Sequence, residues 1–111
     1  MGFDGEVWLV RGTDRGEETG EVGEIVIDDV DFPWLSGRFT AGPAYDAVEP
    51  LFTRELALME DEDWEAWEVV ETEIRRRVSL VSPRGAVPEF LLHIQGDAAW
   101  FRWSDEAFEE G

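Results

Sequence analysis

The chain has no cysteine, no lysine and no asparagine, and its only histidine is His93. Without cysteine there is no disulfide framework, thiolate nucleophile or cysteine metal site. Without lysine, and with no GxxxxGK[ST] run, a P-loop is excluded. No apolar run approaches the roughly 20 residues that a membrane-spanning helix needs. The start, Met1-Gly2-Phe3-Asp4-Gly5-Glu6, lacks the basic and apolar stretches of an export signal, so a cytoplasmic location is expected.

What the chain has in excess is negative charge. Its 111 residues carry 27 Asp and Glu against nine Arg, a net charge of −18. Self-repulsion of that size opposes the compact state, most strongly at low salt. It also argues against direct binding to nucleic acid, which requires a basic patch, and against anionic membranes. It favours cationic partners: a basic protein surface, polyamines or divalent metal. Two background explanations compete. Proteins of salt-loving organisms are acidic for solvation, and a G+C-rich genome by itself depletes lysine and asparagine.

The charge does not imply disorder. Acidic disordered chains are poor in aromatics, whereas this one has six Trp, seven Phe and one Tyr. The length matches one ordinary domain, residues 1–111.

Residues 6–11 (EVWLVR) read as a strand with both faces apolar. Residues 12–23 (GTDRGEETGEVG) read as a mobile hairpin loop, and 24–28 (EIVID) as the next strand. Pro33 forbids a central strand in the stretch 31–40, so an irregular segment leading into a short strand at 38–40 is expected. Tyr45, Val48, Phe52, Leu56 and Met59 share one helical face, interrupted by Pro50. The expectation is a turn at 43–48 and a helix from 49 or 50 to 59, with Pro50 near its first position. The acidic run 60–63 opens a second helix, whose apolar face is Trp64, Trp67, Val70 and Ile74. Arg75, Arg76 and Arg77 complement its C-terminal dipole, and Glu71–Arg75 and Glu73–Arg77 are spaced as ion pairs.

Residues 78–82 read as a strand. Residues 90–95 and 98–103 form a hairpin around Gly96-Asp97, where glycine in the first loop position suits a type II′ turn. That register sets Leu92 opposite Phe101, Phe90 opposite Trp103 and Ile94 opposite Ala99 on one apolar face. His93 then faces Trp100, and Leu91 faces Arg102, on the other. Residues 104–111 are expected to fray. The fold class is α+β: an antiparallel sheet in the order βββ-αα-βββ, with two helices on one face.

Catalytic signals are few. There is no GxSxG elbow, and one histidine on a strand is weak support for a general base, so stacking of His93 on Trp100 at an exposed or half-exposed face is the plainer reading. Asp28-Asp29-Val30-Asp31 and Glu60-Asp61-Glu62-Asp63 are rich in oxygen but lack the spacing and glycine of a calcium loop. The second run is explained by helix capping. No metal or other cofactor is expected. With so many acids, a pair resembling glycosidase carboxylates always exists, and carries no weight.

The aromatics say more. Trp34, Trp64, Trp67, Trp100 and Trp103 cannot all be fully buried in so small a core. The segment 32–39 (FPWLSGRF) either plugs the core or presents an aromatic anchor to a partner. Trp and Arg are enriched at interface hot spots. Candidate partner-binding residues are therefore Trp34, Arg38, Asp61, Glu62, Asp63 and Trp100. An alternative ligand pocket between sheet and helices would use Trp64, Trp67 and His93, with Trp34 and Trp100.

The stretches DFPWLSGRFTAGPAYDAVEPLF, DWEAWE and EFLLHIQGDAAWFRWSD resemble those of short, acidic, uncharacterised proteins of G+C-rich bacteria. The resemblance spans residues 31–105 and implies a stand-alone bacterial domain. It implies no activity, cofactor or site. The leading expectation is a non-enzymatic protein that binds a basic protein, as immunity and inhibitor proteins do. Alternatives are a nucleic-acid mimic, a small-molecule-binding domain or enzyme with an aromatic pocket, and a homo-oligomer whose acidity is environmental.

Overall fold

A computed structural model describes residues 4–14, 17–31 and 33–104. The elements are β1 (Val7–Asp14), β2 (Glu17–Asp31), β3 (Trp34–Ala41), α1 (Tyr45–Glu60), α2 (Trp64–Arg77), β4 (Val78–Ser82), β5 (Gly85–Ala86), β6 (Glu89–Gln95) and β7 (Ala98–Ser104). The fold is α+β, as expected, with the two-residue β5 added. All seven strands form one antiparallel sheet in the order β5-β4-β1-β2-β3-β7-β6.

The sheet is strongly curled. Strands β1 and β7 stand three positions apart, about 14 Å in a flat sheet at about 4.8 Å per step. Yet the ring of Trp8 on β1 lies 5.0 Å from Phe101 and 5.5 Å from Trp103, both on β7. Strands β5 and β6 occupy opposite ends of the order but are joined through residues 87–88 alone. The two edges are thus drawn together into a partly closed barrel. Its interior is Trp8, Val10, Ile25, Ile27, Leu35, Phe39, Leu80, Leu92, Ile94 and Phe101, all buried. The helices add Val48, Phe52, Val70 and Ile74 to this core. Helix α1 packs on β6 and β2, and α2 on β1 and β4.

The β6–β7 hairpin has the register expected from its turn, including Leu92 opposite Phe101 and His93 opposite Trp100. Gly96 has φ +62°, which a type II′ turn requires at that position. Helix α2 starts where expected: the Asp63 side chain accepts the Ala66 N–H at 3.3 Å. Both expected ion pairs form, Glu71–Arg75 at 2.9 Å and Glu73–Arg77 at 3.0 Å.

Three expectations are corrected. Residues 12–14 and 17–23, expected within a mobile loop at 12–23, are instead paired strand, with bulges beside Val10 and Gly12; residues 15 and 16 lie outside those described. Val10 and Val22 are buried in this pair, Arg11 pairs with Glu18 at 3.1 Å, and the Thr13 hydroxyl donates to the Arg76 carbonyl at 3.1 Å. That last bond ties β1 to the end of α2, a contact no local signal reveals.

Helix α1 does not wait for Pro50 but runs from Tyr45 through it. An interior proline costs about 3 kcal/mol. Burial of Val48 and Phe52 on either side offsets that cost. Pro33 precedes a central strand instead of forbidding one: it occupies the turn before β3, which lies between β2 and β7. The missing N–H is therefore not one the ladder needs. The expected fraying of 104–111 concerns residues outside those described, except Ser104, the last residue of β7.

Candidate functional site

Helical spacing places two carboxylates in the interior. Glu55 follows Val48 and Phe52 at seven and three residues, and so shares their stripe. It is fully buried. The Trp67 indole N–H, from α2, donates to Glu55 Oε2. Nδ1 of His93, from β6, lies 3.0 Å from both Glu55 oxygens. One carboxylate therefore ties α1, α2 and β6 together.

His93 is only 4% exposed, so the exposed or half-exposed face expected for it is corrected. Its stacking on Trp100 does occur, with ring centroids 5.4 Å apart. Trp34 stacks on it as well, at 5.9 Å and 17° between planes. Both tryptophans are half-buried. Through His93, the interior carboxylate holds two aromatic side chains at the surface.

Trp34 and Trp100 line an open cleft of 380 Å³ with Asp29, Asp31, Leu35 and Ser36. Trp100 is also a wall of a groove of 540 Å³ between α1 and the β6–β7 turn, which includes Tyr45, Leu56, Met59 and the acids Glu49 and Glu60. The cleft and the groove thus meet at Trp100.

The other candidates lie as follows. Arg38 is exposed on β3, on the same strand face as Trp34 and Ser36. Asp61, Glu62 and Asp63 are exposed in the turn between the helices, where Asp63 caps α2 and Glu62 takes φ +57°. Trp64 is 53% exposed and meets Trp67 edge-on at 5.8 Å. Trp67 and His93 come together, as the pocket reading required, but the Glu55 carboxylate fills the space between them. The segment 32–39 is both core and surface: Leu35 and Phe39 are buried, while Trp34 and Arg38 face the other way. Phe32 lies outside the described residues. Among the described residues, no three Asp, Glu or His side chains are grouped to hold a metal ion.

Glu71 is the second interior acid, one turn from Trp67 and three residues from Ile74. Arg75 Nε stands 2.9 Å from its Oε2, an ion pair without hydrogen-bond geometry, and Arg75 also reaches Glu89 at 2.8 Å. Burial pushes the Glu71 carboxyl above its ordinary value of 4.5; Arg75 and His93 oppose the shift, and the charges of Glu55 and Glu89 reinforce it. A carboxyl raised in the folded state contributes stability below its unfolded pKa and loses it as pH rises through the folded value. Glu71→Gln should therefore match the wild type near pH 4 and equal or exceed it at pH 7, by on the order of 1 kcal/mol. Urea melts at the two pH values check this; a variant clearly weaker at pH 7 would show the Arg75 pair to dominate.

Sequence reasoning missed Glu55, and read Glu71 only as the ion-pair partner of Arg75 and not as buried, because carboxylates are assigned by default to the solvent face. The signal was their spacing from Phe52 and Trp67. Compared with known proteins, no family model matches the chain, and neither a curated protein nor a solved structure matches it.

Proposed function

We propose that this chain is a non-enzymatic binding protein that docks a basic protein through the face centred on Trp100. The observation that carries the reading is that Trp100 joins an aromatic cleft to an apolar groove, each rimmed by carboxylates. A rigid aromatic anchor ringed by contacts that exclude water is the usual anatomy of an interface hot spot. The anchor is fixed before any partner arrives, because His93 and Glu55 hold it from beneath. Preorganisation of this kind reduces the ordering cost of association. The net charge of −18 adds long-range attraction for a cationic surface and raises its rate of encounter.

The test is capture from the native lysate at low salt, with wild type and Trp100→Ala side by side and elution by a salt gradient. The wild type should retain one basic protein in stoichiometric amount and release it as salt rises. Trp100→Ala should retain it about thirtyfold more weakly, the equivalent of about 2 kcal/mol. Equal retention by both proteins would remove Trp100 from the interface. A mixture of basic proteins with no dominant species would reduce the reading to charge alone.

A further inference from the structure

We infer that the cleft beside Trp34 receives an arginine side chain of the basic partner, its guanidinium against the indole and its N–H groups on Asp29 and Asp31. This rests on the binding reading above and names the chemistry that its cleft selects. The β2–β3 ladder sets Asp31 directly opposite Trp34, and Asp29 opposite Ser36. Residues paired in this way point to the same side of a sheet, with Cβ atoms about 5 Å apart. Two carboxylates therefore stand beside the indole, and both they and Trp34 line the cleft.

Arg11, Arg75, Arg77 and Arg84 each pair with a glutamate. Among the described residues, no arginine pairs with Asp29 or Asp31, although Arg38 lies on the same face of β3 and Arg102 of β7 stands opposite Trp34 on that face. The cleft thus offers negative charge beside an aromatic ring already held by His93. Tryptophan is the strongest aromatic acceptor of a cation. A guanidinium suits this wall better than an ammonium, because it is planar, stacks on aromatic faces, is weakly hydrated and presents a fork of donors to carboxylates. A phosphate would be repelled. A hard metal ion wants six or more oxygen ligands, and the cleft offers two carboxylates and one hydroxyl beside an apolar wall.

The probes are a short lysine peptide carrying one central arginine and the all-lysine peptide of equal length and charge. Both are titrated into the full chain while the indole N–H resonances are followed by NMR. The arginine peptide should shift the Trp34 and Trp100 indole signals saturably and bind about tenfold more tightly than its all-lysine counterpart. The double variant Asp29→Asn, Asp31→Asn changes only exposed side chains, and should lose most of that preference. Equal binding of the two peptides, or a preference unchanged by the double variant, overturns the inference. If the wild type still captures a basic protein in that case, the binding reading stands and only the arginine site falls. If the arginine peptide binds as expected but no basic protein is captured, the arginine-selective cleft stands and the partner reading falls.

Discussion

Replacing Glu55 with alanine should destabilise the fold by about 3–4 kcal/mol. The carboxylate is fully buried and serves two partners, the Trp67 indole N–H and His93 Nδ1. A buried donor left without an acceptor costs about 1–3 kcal/mol. Alanine orphans both partners and leaves a void among packed side chains, which adds a cavity cost. Glu55→Gln keeps a carbonyl oxygen for the Trp67 N–H and presents an N–H₂ group to His93 Nδ1, which can accept it only by changing tautomer, so it should lose about half as much. Urea melts supply both values, provided the slopes agree with the wild type. A loss below about 1 kcal/mol for alanine would mean that water or a rearranged helix takes over the carboxylate's role. The same variant should change the tryptophan emission, since His93 would no longer be held against Trp34 and Trp100.

Gly37→Ala should be comparably damaging, at about 3 kcal/mol or more, for a different reason. A methyl group there would stand 2.0 Å from the Val26 carbonyl oxygen and 2.7 Å from its carbon. Both are backbone atoms of the neighbouring strand and cannot swing aside. Overpacking against yielding side chains commonly costs about 1–3 kcal/mol, and this contact lies beyond that regime. Strands β2 and β3 would have to separate where Val26 pairs with Arg38 and Ile27 with Gly37. Amide exchange should report the damage first at those residues, with a lowered urea midpoint. Unchanged exchange along β2 and β3 would show that the curl relaxes to admit the methyl. Trp34 lies three residues from Gly37, so the same distortion should also disturb the aromatic cleft.

The parts of this fold that were legible from sequence are those set by local chemistry. A glycine-led turn fixed the register of β6 on β7, because a period of two leaves no freedom once the loop length is known. The charge pattern of α2 marked both its ends. What was not legible depended on distant partners. The apolar stripe runs across Pro50 in the sequence, but whether its burial outweighs the proline depends on what Val48 and Phe52 meet elsewhere in the chain. Nothing in the glycine-rich run at 12–23 says that Thr13 will find the carbonyl of Arg76. The curl of the sheet follows from pairings such as Leu9 with Val81 and Ser36 with Trp100, which span most of the chain.

The site divides along the same line. Trp34, Trp100 and His93 could be named from composition and register. Their assembly could not, because Glu55 reads as an ordinary surface acid until its neighbours on the helix are known to be buried. Asp29 and Asp31 read as part of an acidic run; a register shift after Ile27 sets them opposite Ser36 and Trp34.

The strand order also bears on how the chain is made. The first three strands form a meander, but both its outer flanks are covered by strands synthesised later: β4 on β1 and β7 on β3. A nascent chain that has emerged only as far as Arg77 has two bare rows of peptide groups and no strand to cover them. Such edges invite pairing between chains. Formation of the barrel therefore has to await β4 and the β6–β7 hairpin. Until then, the strong negative charge of every emerging copy works in the protein's favour, by keeping neighbouring nascent chains apart.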